Sequence, residues 1–425
     1  MQRSLPLLLA LALVACASDD PDCVLDEAGV CQDAGECPEG EDCDEEEEEE
    51  EDREVRPCVS QEDDAFWAES GFEPGEALDV PRDGEWHFIP IEGMKCGDGE
   101  QTGVFVNFVE DSEDLFFFLQ GGGICYNNAS CGMMQGNLSG PRPGPNTASN
   151  FANSHTRGLY NRDDPDNPMR NANMISIPHC TGDFHLSSCL NDYTNIGDVY
   201  QVGRSNLKRV LEAVVPAVDS VERALVAGFS AGGVGVTGNF HLIAEAFESR
   251  FSPEWTLIMD GGPLFPKPHF SDAGQKAIRD KWDLTEYIGS FCEDCLEDGF
   301  HNLYSRNHEL HPNLRSAVVC SYSDTVAFAL YGLILNNLGI LVSNPLFFKN
   351  GLLELAAAVD AEGHEGHVQF LYEGARHGAL EFWNFDQTPI PQEGEEPPVG
   401  PTIFEDFMSA LFDRSQEPFS YHEGE

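Results

Sequence analysis

The stretch Arg223-Ala224-Leu225-Val226-Ala227-Gly228-Phe229-Ser230-Ala231-Gly232-Gly233 decides the fold. Its first seven residues are apolar after Arg223 and short enough for a strand buried on both faces. A Gly-x-Ser-x-Gly turn follows, and then Phe240 to Phe247 reads as a helix. Strand, tight turn and helix in that order make an elbow whose small neighbours push the serine hydroxyl into the open. The helix behind the turn aims its N-terminal amides at the same point. Without that context the three letters would describe a flexible glycine turn, so the order of elements carries the reading.

Outward from the elbow, strands alternate with helices. Gly103 to Phe108, Asp114 to Gln120 and Asn173 to Pro178 read as buried strands upstream, as do Trp255 to Met259, Ser316 to Cys320 and His367 to Tyr372 downstream. Ser205 to Val215 places apolar residues at helical spacing and is closed by Pro216. This alternation predicts an α/β domain with a mostly parallel sheet covered on both faces. Sites in such sheets gather at the carboxyl ends of the strands. Val326 to Phe348 carries no charge and is long enough to span a bilayer, but Asn336, Asn337, Ser343, Asn344 and Pro345 interrupt it. Two short apolar helices near the site are expected there, either as ordinary core or as a cap forming an acyl pocket.

A serine nucleophile needs a base, an acid to orient the base, and donors for the oxyanion. The strand Leu115 to Gln120 runs into Gly121-Gly122-Gly123, where backbone amides can approach a ligand closely. The amides of Gly122, Gly123 and Ala231 are the expected oxyanion hole. His377 follows the last strand and is the expected base. Asp324 follows the strand Ser316 to Cys320 and is the expected acid, with Asp260 after the preceding strand as its competitor. His364-Glu365-Gly366-His367 has the wrong spacing for a helical zinc pair and reads as a loop. No metal and no organic cofactor is expected.

At these residues the chain resembles a known family. Leu119-Gln120-Gly121-Gly122-Gly123-Ile124-Cys125, with Cys131 soon after, is similar to the E-G-G-G-W-C loop of pectin acetylesterases and the Notum carboxylesterases. Cys96-Gly97-Asp98-Gly99, Pro178-His179-Cys180-Thr181-Gly182-Asp183, Gly228 to Gly233 and the neighbourhoods of Asp324 and His377 continue the resemblance in one order. It implies an α/β-hydrolase fold with a Ser-Asp-His triad, and those roles fall on Ser230, Asp324 and His377. Gln120 stands where the family has an acidic residue and Ile124 where plant members carry Trp. Because that loop borders the substrate, these departures bear on which ester is cleaved.

Composition sets the surroundings. A chain of 425 residues with 41% hydrophobic content is not wholly disordered. Its net charge of -52 would be repelled by phosphate backbones, which argues against a nucleic-acid partner. Arg3, the apolar run Leu5 to Val14 and small residues before Cys16 make a secretory signal too short to cross a bilayer. Leu13-Val14-Ala15-Cys16 resembles the bacterial lipoprotein box, which implies lipidation of Cys16. Ala17 after it favours the outer membrane or cell surface. Residues 17–57 hold 20 Asp plus Glu against Arg53 and Arg56 and no aromatic residue. Such a segment reads as a disordered acidic tether, about 35 Å across as a flexible coil, before a domain at 58–425.

Export makes the fourteen cysteines legible as disulfide partners. Short loops suggest Cys125 with Cys131 and Cys180 with Cys189, and Cys292-x-x-Cys295 reads as a tight disulfide. Without Cys16 thirteen remain, so at least one is free or pairs outside the chain. The whole describes an exported, membrane-anchored serine esterase whose partner is an ester substrate. An acetylated polysaccharide such as pectin is expected, or else a longer acyl ester. A catalytically silent surface binding protein is the remaining class.

Overall fold

A computed structural model describes residues 72–331, 345–380 and 403–423, together with the short paired segments Val24–Leu25, Cys31–Gln32 and Val59–Ser60. The chain divides into two units, Met1–Val55 and Arg56–Glu425. In the first, β1 (Val24–Leu25) pairs antiparallel with β2 (Cys31–Gln32), a small ordered element within the stretch read as a tether. Cys16 lies outside the described residues.

The second unit is built on nine strands: β4 (His87–Lys95), β5 (Gln101–Asn107), β6 (Asp114–Leu119), β7 (Asn173–Ile177), β10 (Arg223–Phe229), β11 (Glu254–Asp260), β12 (Arg315–Ser321), β13 (His367–Tyr372) and β14 (Tyr421–His422). Their order is β14-β13-β12-β11-β10-β6-β7-β5-β4. From β7 to β14 every pair is parallel, and β5 and β4 add an antiparallel edge. A second, antiparallel sheet joins β3 (Val59–Ser60), β8 (Cys189–Tyr193) and β9 (Gly197–Gln201).

The central strands are buried on both faces, as near-continuous apolar runs require. In β6, Leu115, Phe117 and Leu119 face one core with Val226 of β10, Leu257 of β11 and the helices Gly203–Val214 and Ala231–Glu248. Phe116 and Phe118 face the other core with Leu225 and the helix Ile403–Phe412. The seven strands expected from sequence all form, two with the ends expected and five with an end shifted by one or two residues. β4 escapes a pattern search because it is half-exposed and contains Pro90 and Gly93, residues that suit an edge strand and weaken an interior one.

Of the apolar stretch 326–348, residues 332–344 lie outside the described region, so the acyl-cap reading falls largely there. Its ends are helical, in Thr325–Ala329 and at the start of Pro345–Ala361. Phe348, Leu352, Leu355 and Val359 of the latter are core residues. Among the described residues no helix is long and apolar enough to cross a membrane.

Cys125–Cys131 and Cys292–Cys295 are bonded as their spacing suggests. The expected Cys180–Cys189 pair is wrong. Cys180 bonds Cys96 across 84 residues, and Cys189 is in another disulfide. Short loops mislead here because β4, β5 and β7 are neighbours in the sheet. The turn after β4 therefore meets the loop after β7, while Cys189 leaves into the second sheet. Closing so long a loop restricts the unfolded chain by roughly 4.5 kcal/mol in the chain-entropy model. Among the described residues Cys320, buried in β12, is a free thiol.

Four of the buried imidazoles among the described residues lose proton affinity to their surroundings. Burial holds His185 and His308 down at about 4 and His367 at about 3, and pushes His179 well below its ordinary value. Unfolded, they protonate near 6.5. Between pH 6.5 and about 4 the unfolded chain takes up protons that the native state refuses, so stability falls with acid. Burial raises Asp183 to about 6 and Asp260 to about 7. These two work in the opposite sense, favouring the native state as pH falls through 6 to 7. Four groups outweigh two, and the urea midpoint is expected to be lower at pH 5 than at pH 7.5. Measured in roughly 0.5 M salt, which screens the acidic surface, an unchanged or higher midpoint at pH 5 would refute this.

Candidate active site

Ser230 stands between β10 and the helix Ala231–Glu248 with φ 55° and ψ -120°. A non-glycine residue at such φ is strained by about 1–3 kcal/mol and persists when its surroundings dictate it. Here they do. The Ser230 amide donates to the Asp260 carbonyl at 2.7 Å, and the Ser230 carbonyl accepts from Gly233 N–H at 2.9 Å. A Cβ at Gly232 would lie 1.9 Å from the Leu119 carbonyl oxygen, and one at Gly121 would lie 2.9 Å from Ser230 Cβ. The elbow and the end of β6 thus meet at backbone distance, which glycine alone permits. The hydroxyl is part-exposed, and among the described residues it has no hydrogen-bond partner.

The Gly121–Gly123 loop follows directly. Among the described residues the amides of Gly122, Gly123 and Ala231 donate to no backbone carbonyl. Ala231 opens its helix, where the first N–H groups have no partner within the helix. Gln120, which departs from the resembled family, spends its amide on Ser176 Oγ at 2.9 Å. The Gln120 main-chain carbonyl accepts from His185 Nε2 at 3.0 Å. Ile124, the second departure, is buried among core side chains, so that change concerns packing more than substrate contact. Cys125–Cys131 ties the loop to the helix Asn128–Met134.

His377 lies in the loop after β13, its ring 4.8 Å from that of Phe229. Its Nδ1–H donates to Asp324 Oδ2 at 2.7 Å. The other oxygen of Asp324 accepts the amides of Val326 at 3.0 Å and Ala327 at 2.9 Å, capping the helix Thr325–Ala329. Asp324 is fully buried and His377 is 16% exposed. With Nδ1 occupied as donor, Nε2 is left as the lone-pair nitrogen. The Ser230–His377 hydrogen bond is not closed in this conformation; such bonds often tighten only when substrate binds.

Asp260, the competing acid, is also in the site but faces elsewhere. Its Oδ2 accepts the amides of Ala379 at 2.6 Å and Leu380 at 2.7 Å. The residue that reaches the His377 ring is therefore Asp324. His364 stacks on His308, and His367 opens β13. Among the described residues no three His, Cys, Asp or Glu side chains are placed to hold a metal ion.

A mostly parallel sheet with an antiparallel edge, an elbow serine, and Asp and His in later loops at the carboxyl ends define an α/β-hydrolase fold. Residues 87–278 match the model of the pectinacetylesterase family. It is 29% identical over 190 residues to the human palmitoleoyl-protein carboxylesterase NOTUM, covering 42% of this chain and 36% of that protein. It is 26% identical over 210 residues to palmitoleoyl-protein carboxylesterase notum2 of Xenopus laevis, covering 48% and 41%. The chain thus spans less than half the length of these relatives. The crystal structure of the Wnt deacylase Notum from Drosophila superposes with a TM-score of 0.51 at 18% identity, over 71% of this chain and 88% of that one.

Proposed function

We propose that this protein is an exported, lipid-anchored serine esterase. Ser230 Oγ attacks the ester carbonyl carbon as His377 Nε2 takes its proton, and Asp324 balances the imidazolium that forms. The amides of Gly122, Gly123 and Ala231 hold the tetrahedral oxyanion. Collapse breaks the ester bond, and the leaving alcohol takes the proton back from His377. Water then attacks the acyl group on Ser230, giving its proton to the same His377; the bond from the acyl carbon to Ser230 Oγ breaks, Oγ takes that proton back, and the acid departs. The observation that carries this reading is the 2.7 Å Asp324–His377 hydrogen bond in loops flanking the Ser230 elbow. The pectinacetylesterase match and the carboxylesterase relatives support ester hydrolysis.

The substrate proposed is an acetyl ester on a polysaccharide such as pectin, following the family model. A second reading, a longer acyl ester, is favoured by relatives named for a palmitoleoyl group. A nitrophenyl ester series from acetate to palmitate, run beside acetylated xylan and pectin, separates the two. Activity is expected to be highest at acetate. An optimum at the long chains would move the protein to the second reading.

Lipidation of Cys16 would place the protein at the outer membrane or cell surface, with residues 17–57 holding the catalytic unit away from the lipid. Cys16→Ser is expected to shift it from the membrane fraction to the soluble one. A chain beginning near Pro57 is expected to keep full turnover on a small soluble ester. Unchanged fractionation of Cys16→Ser removes the anchor, and a large loss of turnover makes the acidic segment part of the enzyme.

A further inference from the structure

Asp260 ends β11 at the point where the catalytic loops converge. In register it lies between Phe229 of β10, the residue before the nucleophile, and Val319 of β12, the strand that leads to Asp324. Its carbonyl accepts the Ser230 amide. Its carboxyl Oδ2 accepts the amides of Ala379 and Leu380, the pair that follows His377-Gly378. One residue therefore holds the nucleophile by its main chain and the chain after the base by its side chain. The other oxygen, Oδ1, is buried and has no partner among the described residues.

We infer that Asp260 is a positioning residue for the reaction: by clamping the backbone after His377 it sets where the imidazole stands relative to Ser230. The inference rests on reading Ser230 and His377 as nucleophile and base. Two restraints then define the ring. Asp324 holds Nδ1, which fixes its rotation, and Asp260 holds the main chain two residues on, which fixes its location. The neighbouring backbone leaves little room, since a Cβ on Gly261 would lie 3.2 Å from Gly378 N and 3.4 Å from His377 Nδ1. Without the clamp, the amides of Ala379 and Leu380 would be buried unpaired, a state the loop can leave only by moving.

The carboxyl does this as an acceptor rather than as a counter-charge. Its titratable neighbours are His377, Asp324, Cys320 and Tyr372. Burial, with a smaller push from Asp324 and against the pull of the two amides and His377, raises it to about 7. Near neutral pH the group is thus often uncharged. An asparagine carbonyl oxygen can take both amides as Oδ2 does, with its NH2 in the place of the unpartnered oxygen.

The test uses the full chain with Asp260→Leu and Asp260→Asn, active sites counted by fluorophosphonate titration, and kcat and KM measured on p-nitrophenyl acetate. A displacement of about 1 Å costs on the order of 10²-fold, so Asp260→Leu is expected to lose about 100-fold in kcat per titrated site. KM should stay within about threefold, because substrate binding itself is untouched. Asp260→Asn should recover kcat to within about tenfold of wild type. Wild-type kcat per site in Asp260→Leu, whatever its melting temperature, would reduce Asp260 to a structural role and overturn the inference. So would an Asp260→Asn as slow as Asp260→Leu. If Asp260→Leu does not fold, a folded Asp260→Asn more than about tenfold slower than wild type overturns it equally. Labelling of wild type but not of Ser230→Ala is the control. If that fails, the serine-esterase reading fails; if it holds, only the clamp is in question.

Discussion

Ser230→Ala is expected to bring ester hydrolysis to background, a loss on the order of 10⁶-fold in kcat as for other serine hydrolases stripped of their nucleophile. Its melting temperature is expected to match wild type. The second half follows from the local structure. The hydroxyl has no hydrogen-bond partner among the described residues, so its removal leaves no buried group unpaired. Alanine keeps the Cβ, so the cost of φ 55° is the same in both proteins. The backbone bonds from Ser230 N–H to Asp260 and from Gly233 N–H to Ser230 do not depend on the side chain. Turnover and a thermal melt on the same sample decide it. More than a few per cent of wild-type kcat in a folded variant would remove Ser230 from the chemistry.

Much of this site is legible in the order of residues because the elements that build it are local. The elbow needs a strand, a turn and a helix within about 25 residues; β10 has the ends expected, and the helix starts at Ala231, nine residues before the stretch read as helical. The Gly121–Gly123 loop announces itself for the same reason: β6 runs into it without a break. What depends on sheet order is hidden. Cys96 and Cys180 look unrelated until β4, β5 and β7 are placed side by side. The edge strand β4 carries no clear period, because its burial alternates irregularly and Pro90 interrupts its donors.

Orientation is hidden too. Asp260 and Asp324 each follow a strand and precede His377, so chain order alone admits either as the acid. The difference lies in where each side chain points. Asp324 sits one turn beyond β12, caps a helix with one oxygen and meets the imidazole with the other. Asp260 remains at the strand end, and its carboxyl meets the main chain past the imidazole. No pattern of residue types distinguishes those two geometries, since the acceptors and donors involved are mostly backbone.

The same difference in geometry sets the expected outcome of changing each acid to its amide. Asp324→Asn should lower kcat by about 10⁴-fold, the cost measured for the equivalent change in a serine protease. The reason is which end of the amide each partner accepts. Val326 and Ala327 N–H need an acceptor, so the asparagine carbonyl is drawn to the helix end and its NH2 faces His377. An NH2 there requires Nδ1 to be the lone-pair nitrogen, which puts the proton on Nε2 and leaves no base for Ser230. The negative charge that would balance the imidazolium is lost as well. At Asp260 the same change meets no such conflict. The carbonyl can keep the two amides of Ala379 and Leu380, and the NH2 takes the side of the unpartnered oxygen. Steady-state kinetics on one small ester compares the two. If Asp260→Asn proves the slower by orders of magnitude and Asp324→Asn stays near wild type, the acid of this site is Asp260.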